Sequence, residues 1–329
     1  MTTKQNPMQA FNALSHIVLK SLAFGALALA TACGPGGLGG GKAGEGDYSL
    51  VRSLTGAGFT GQKYYLGWGE ILDGFMGNET YYDVKHTHDI FANQVGGKYK
   101  ATKLDRDSGS VSGSSISSAM STIKGQIKPT DMYVQYSSGH GYPSGLGVGV
   151  TYDQIRDNAL SYGAKETVVF IMACHSGGLV NSFKNKSSEL ERMKQEGKTL
   201  FVMSSSTVQE TSSTGPMTDS DESAGRQGSA GSAYGHALWK ALIGYADGAM
   251  DGVKDGFIDM SEIEAYTKKR TQEIGGHSPV AYGFNYQWLV MNEVPNGGYE
   301  AGLDGGTSGL SDAEIAASVA ELDQALATD

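Results

Sequence analysis

The chain is poor in basic residues, in cysteine and in long apolar runs. Its 25 lysines and arginines are outnumbered by 35 acids, and they gather into no stripe. Phosphate backbones are gripped by clustered Lys and Arg, so this balance argues against nucleic acid as a partner. Two cysteines, Cys33 and Cys174, allow one disulfide at most. The apolar stretch near the N-terminus, SLAFGALALATAC at 21–33, falls short of the roughly 20 residues a bilayer-spanning helix needs. No internal repeat is visible. The 329 residues suffice for one large domain or two small ones.

What is present near the N-terminus reads as an export signal. Residues 1–32 carry Lys4 and Lys20 and no acid, followed by a short apolar core and small residues. Ala30-Thr31-Ala32-Cys33 resembles a bacterial lipobox, which implies acylation of Cys33 and a membrane anchor in the cell envelope. A plain secretory signal beside a cysteine is the alternative. The glycine-rich stretch 33–46 then serves as a tether. With Cys33 acylated, Cys174 is a free thiol, a hazard in an oxidising compartment unless buried or useful.

From about 47 to 294, short apolar runs alternate with amphipathic segments. This predicts an α/β domain with a mostly parallel central sheet flanked by helices. Strands are expected at 63–67, 131–137, 167–173, 199–204 and 287–291. Helices are expected at 115–127, from the Thr151-x-x-Gln154 capping box to a Gly163 cap, at 187–196, at 233–245, and after Ser261-x-x-Glu264. Residues 205–233 form a polar loop. Residues 295–310 read as a linker, and 311–329 as an amphipathic tail helix that packs on the domain or meets a partner.

The run VVFIMACHSGG at 168–178 sets Cys174 just beyond a buried strand. The strand at 131–137 ends in Ser138-Gly139-His140-Gly141. One crossover makes these two strands parallel, so topology brings His140 and Cys174 to one sheet edge, where open α/β sheets bind ligands. Thiolate is the attacking form of cysteine, and a neighbouring imidazole takes its proton and later protonates the leaving amine. Glycines beside both residues let backbone N–H groups approach a carbonyl. Those of Gly141 and Cys174 are candidates for an oxyanion hole, each donor being worth about 3–4 kcal/mol.

YSSGHG followed by FIMACHSGG resembles the caspase-like cysteine peptidases, most closely their metacaspase and bacterial branch, with legumain-type enzymes as relatives. The likeness runs from about Ser115 to Met291 and takes in MSSSTVQETS at 203–212, which is similar to the segment lining the substrate cleft in that group. It implies a caspase-like fold, His140 as general base, Cys174 as nucleophile, a protein or peptide substrate and no obligatory cofactor. Ser138, Met172, Ser205 and Ser206 become the substrate-pocket candidates. Members of the family usually carry an acid two residues before the cysteine. Met172 stands there, so a preference for basic residues does not carry over. A catalytically silent binding protein, or a transpeptidase using the same dyad, are the competing functions.

Two further clusters stand apart. Asp251, Asp255, Gly256, Asp259 and Glu262 fit an EF-hand loop, with Val253 at a ligand position. They make a candidate calcium site, against the plainer reading of a helix-connecting turn. His86-x-His88-Asp89 could be half a metal site, but with no second ligand cluster it reads as solvated or helix-capping.

Overall fold

In the computed structural model the described residues are 61–72, 74–93, 99–109, 111–212, 231–250, 252, 254, 256–287 and 289–293. The signal, tether, linker and tail-helix expectations lie outside them.

The most apolar segments build the middle of one sheet. Strands β1 (Lys63–Gly69), β2 (Lys100–Leu104), β3 (Met132–Ser138), β7 (Glu166–Met172), β8 (Thr199–Ser204) and β10 (Val280–Phe284) run in the order β10-β8-β7-β3-β1-β2. All neighbours are parallel except β10, which runs antiparallel to β8. The chain is therefore α/β with a six-stranded, mostly parallel sheet and seven α-helices among the described residues. Short strands β4 (Gly141–Tyr142), β5 (Gly145–Leu146) and β6 (Val150–Thr151) form a second small sheet. Strands β9 (Phe257–Asp259) and β11 (Val290–Glu293) form a third.

Alternation along a buried strand sends successive side chains to opposite faces. In β7, Val169 and Ile171 enter one core, while Val168, Phe170 and Met172 enter the other. The first core is closed by α2 (Gly113–Lys124), α3 (Tyr152–Ser161), α4 (Gly177–Lys184) and α5 (Ser187–Gln195). The second is closed by α1 (Gly74–Asn93), α6 (Ala233–Lys240) and α7 (Met260–Gly275). Both faces being covered explains the continuous apolar runs. At the outer edge, β2 presents Lys100 and Lys103, charges that discourage another chain from pairing there. No described helix is long and apolar enough to cross a membrane.

Local chemistry sets the boundaries. Thr151 and Gln154 exchange the expected capping-box bonds, and Gly163 follows α3 with φ +63°, as does Gly197 after α5 with φ +68°. Helix α2 starts earlier than the apolar pattern suggests, because Ser112 and Ser115 cap it, and it stops at Gly125. The cap of α7 is Asp259 with Glu262, two residues before the expected Ser261–Glu264 pair. Strand β9 delivers Asp259 in an extended conformation, and its carboxylate accepts the Glu262 N–H at 3.0 Å. Ser261 donates instead to Asp259 Oδ1. Helix α6 ends in a π-helical turn at Ala241–Tyr245 around Gly244, with φ +127°.

Helix α1 is the element the apolar pattern hides. Its inner face carries Glu79, Asp83 and Thr87, each 1% exposed. Asp83 accepts Ser138 Oγ at 2.7 Å, the Ser232 N–H at 2.7 Å and Ser232 Oγ at 2.9 Å, tying α1 to the end of β3 and the start of α6. Burial raises the Asp83 carboxyl above its ordinary value. Burial, and secondarily Asp83, pushes Glu79 up to about 9, and its Oε2 has no partner among the described residues.

Folded Glu79 therefore keeps a proton that the unfolded chain releases near 4.5. Above that pH the unfolded state binds fewer protons, so stability falls as pH rises toward 9. Glu79→Gln is expected to stabilise the protein by about 1–3 kcal/mol at pH 8 and by little at pH 4. Urea unfolding at both pH values checks this. Destabilisation at both would show that the carboxylate form is the one that bonds.

Candidate active site

Strands β3 and β7 are adjacent and parallel, with Ser138 opposite Met172. The Gly139 N–H continues the ladder to the Met172 carbonyl at 3.1 Å. His140 and Cys174 thus leave the sheet at one edge, as the crossover argument predicts. After His140 the chain enters the β4–β5 hairpin, where Gly147 N–H donates to the His140 carbonyl at 2.9 Å. A Cβ placed on Gly141 would lie 2.0 Å from the Cys174 carbonyl oxygen and 2.7 Å from Ala173 Cβ. The backbones of residues 141 and 174 are therefore packed directly on one another, an approach only glycine permits.

The bond from Gly147 to His140 makes the Gly141–Leu146 pair non-hydrogen-bonded, so the Gly141 N–H points off the hairpin ladder. His140 is exposed and Cys174 half-buried. The Cys174 Sγ lies 3.9 Å from the Ser212 carbonyl.

Hydroxyls fasten the support behind the thiol. The Ala173 carbonyl is approached by Ser205 Oγ at 3.2 Å, Ser206 Oγ at 3.1 Å and Ser212 Oγ at 2.8 Å, and the Ala173 N–H donates to Ser205 Oγ at 3.1 Å. One carbonyl has two lone pairs, so the three hydroxyls compete for it, and Ser205 and Ser212 also hydrogen-bond each other. Ser176 joins the same cluster through Ser205 and Ser206.

His175 adopts φ +59°, an unfavourable region for a non-glycine residue. It is held there by its N–H to the Glu210 carbonyl and by Nδ1 to the Val208 carbonyl, each 2.8 Å. A carbonyl only accepts, so Nδ1 carries the proton. Glu210 in turn accepts the N–H groups of Thr207 and Ser278, which keep its carboxyl below the usual range. His175 is thus scaffold for the loop, as its position beside Cys174 suggests.

All four pocket candidates are buried. Ser138 donates to Asp83, Met172 lies in the core, and Ser205 and Ser206 face Ala173. A cavity near the site lies at the end of β1. It is about 270 Å³ and is lined by Glu70, Ile71, Leu72, Asn78, Tyr81 and Arg106. The Arg106 guanidinium rests 3.9 Å from the centre of the Tyr81 ring and donates to Asn78 Oδ1 at 2.9 Å. Glu70 accepts the His140 N–H through Oε2 at 2.6 Å.

Sequence reasoning missed Glu70, Asp83 and Glu210. For Glu70 the available signal was topological: β1 is the parallel neighbour of β3, so the residue after β1 must emerge beside the residues after β3.

The other candidates fare differently. Asp251 and Asp255 lie outside the described residues. The Glu262 carboxylate accepts the N–H groups of Gly248 and Asp259, and burial, with Asp259 and Asp247 nearby, pushes it up to about 8. No group of three or more His, Cys, Asp or Glu among the described residues is placed to hold a metal. His86 is not a cap. It sits inside α1, half-buried and stacked on Trp239 with centroids 4.7 Å apart, and burial pushes it down to about 3. His88 pairs with Asp89 at 3.2 Å.

Neither a protein-family model nor a curated protein matches this chain. The functional reading rests on the residues and their geometry.

Proposed function

We propose that the protein is a lipid-anchored, caspase-like cysteine endopeptidase of a bacterial cell envelope. The observation that carries this reading is the backbone packing of Gly141 on Cys174, with His140 beside it. The strand order, with one antiparallel strand at the edge next to β8, is compatible with that fold. In this mechanism His140 takes the thiol proton and Cys174 Sγ attacks the peptide carbonyl carbon. The C=O π pair moves onto oxygen, where the N–H groups of Gly141 and Cys174 stabilise it. The C–N bond then breaks as His140 protonates the departing amine. Water, deprotonated by His140, hydrolyses the thioester and frees the thiol.

Peptide-library cleavage with Cys174→Ala protein as control tests the proposal. Product masses with and without an added amine separate hydrolysis from transfer. A chain that binds peptides and leaves them intact would be the silent scaffold. Calcium binding at the 251–262 loop stands against the plainer reading of a helix-connecting turn, and cleavage with and without a chelator separates the two.

The anchor has its own test. Cys33→Ser is expected to move the protein from the membrane to the soluble fraction, since each buried acyl CH₂ contributes about 0.8 kcal/mol. Wild-type protein that is soluble and unacylated by mass spectrometry would refute the lipoprotein reading. Activation cuts, if any, are expected within 207–233, whose only basic residue is Arg226. N-terminal sequencing of incubated wild-type and Cys174→Ala protein locates them. A wild-type-specific cut elsewhere in fully active enzyme would overturn the placement.

A further inference from the structure

Glu70 plays no part in the steps above, yet it is built into the site. Its own backbone is pinned on both sides: the N–H donates to the Ser138 carbonyl at 2.9 Å, and the carbonyl accepts Thr80 Oγ1 at 2.8 Å. The side chain then crosses to a residue 70 positions away, where Oε2 accepts the His140 N–H at 2.6 Å. Two glycines make the slot for the carboxylate. A Cβ on Gly139 would meet Oε2 at 2.8 Å, and one on Gly147 would meet Oε1 at 2.7 Å. The His140 carbonyl is meanwhile bonded by Gly147. Both polar main-chain groups of His140 are thereby fixed, one of them by a charge-assisted bond, the stronger kind.

We infer that Glu70 is a positioning residue for His140. By fixing the main chain from which the imidazole projects, it sets the reach of that ring toward Cys174. Small displacements of a catalytic group are costly in rate, so an acceptor this close to the backbone N–H has kinetic leverage. The inference rests on the dyad reading above. The rival role is that Glu70, as a wall of the 270 Å³ cavity, supplies a negative charge that binds substrate.

Glu70→Ala, Glu70→Gln and His140→Ala are to be compared in two assays. One is the pH–rate profile of Cys174 alkylation by iodoacetamide, which needs no peptide substrate and senses an imidazole beside the thiol. The other is the separation of kcat from KM on a cleaved peptide. Glu70→Ala is expected to move the alkylation profile in the same direction as His140→Ala and to lower kcat by about 10–100-fold, with KM within about 3-fold. Glu70→Gln keeps an oxygen to accept the His140 N–H and is expected to recover most of that loss.

Gly139→Ala, whose Cβ would meet only Glu70 atoms and displace the carboxylate, serves if Glu70→Ala fails to fold, and should reproduce the same shift. A wild-type alkylation profile in Glu70→Ala or Gly139→Ala overturns the inference. So does a Glu70→Gln variant as impaired as Glu70→Ala with the loss in KM, which would make Glu70 a substrate anchor. If the wild type cleaves no peptide, the endopeptidase reading fails, and the alkylation profiles still decide the role of Glu70.

Discussion

Cys174→Ala is expected to lower peptide cleavage by at least about 10³-fold and to leave the protein folded. The two halves of that expectation come from different features. Activity goes because, in the proposed mechanism, Sγ is the atom that forms the acyl bond, and nothing in the serine cluster replaces it. Ser205, Ser206 and Ser212 are turned toward the Ala173 carbonyl. Stability stays because the thiol's bond to the Ser212 carbonyl is a long contact, 3.9 Å. The bonds that shape the loop run through the backbone of Ala173 and His175 and survive truncation at residue 174. The change in unfolding free energy should stay within about 1 kcal/mol.

His140→Ala is the companion variant. Its main-chain N–H still donates to Glu70, so the lost rate belongs to the imidazole. Cleavage of a reporter peptide and thermal unfolding of each purified variant supply the measurements. Cleavage by Cys174→Ala at the wild-type rate would refute the assignment of the nucleophile.

What could be read in the residues follows how each element is stabilised. Strands β3, β7 and β8 announce themselves because burial on both faces fills most of their positions with apolar side chains, and β8 falls at the expected 199–204. Helix α1 does not, because Glu79, Asp83 and Thr87 occupy its inner face and erase the apolar period. Strand β2, KATKL, is an edge strand whose lysines serve solubility. Strand β10 is half-buried throughout and carries no strong alternation.

The site divides in the same way. His140 and Cys174 lie just past the ends of strands whose pairing topology dictates, so their arrival at one sheet edge was derivable. Glu70 and Asp83 reach the site from 70 and 55 residues away through single hydrogen bonds. No periodicity encodes such contacts. The buried hydroxyls of Ser205 and Ser206 follow from the same limit: composition marks a serine-rich segment but does not say which way the hydroxyls turn.

Gly141→Ala should be the most damaging change that removes no functional group. The added Cβ would lie 2.0 Å from the Cys174 carbonyl oxygen and 3.0 Å from the Cys174 carbonyl carbon, and backbone atoms cannot rotate out of the way. The β4–β5 hairpin and the loop after β7 must separate. That separation carries the N–H groups of Gly141 and Cys174 apart; in the proposed mechanism they are the oxyanion donors, and each such donor lost costs about 10²–10³ in kcat. A fall of at least about 10²-fold in kcat/KM is expected, with about 1–3 kcal/mol of destabilisation from overpacking.

Gly149→Ala is the control. A methyl group added to Gly149 would meet no atom within 4 Å, and the residue has φ +81°, so alanine there costs about 1–2 kcal/mol of backbone strain without touching the loop that carries the thiol. If the strand-end packing is what assembles the site, Gly141→Ala loses activity far beyond Gly149→Ala at matched stability. Equal activity in the two variants would mean that the close approach of residues 141 and 174 serves the fold alone.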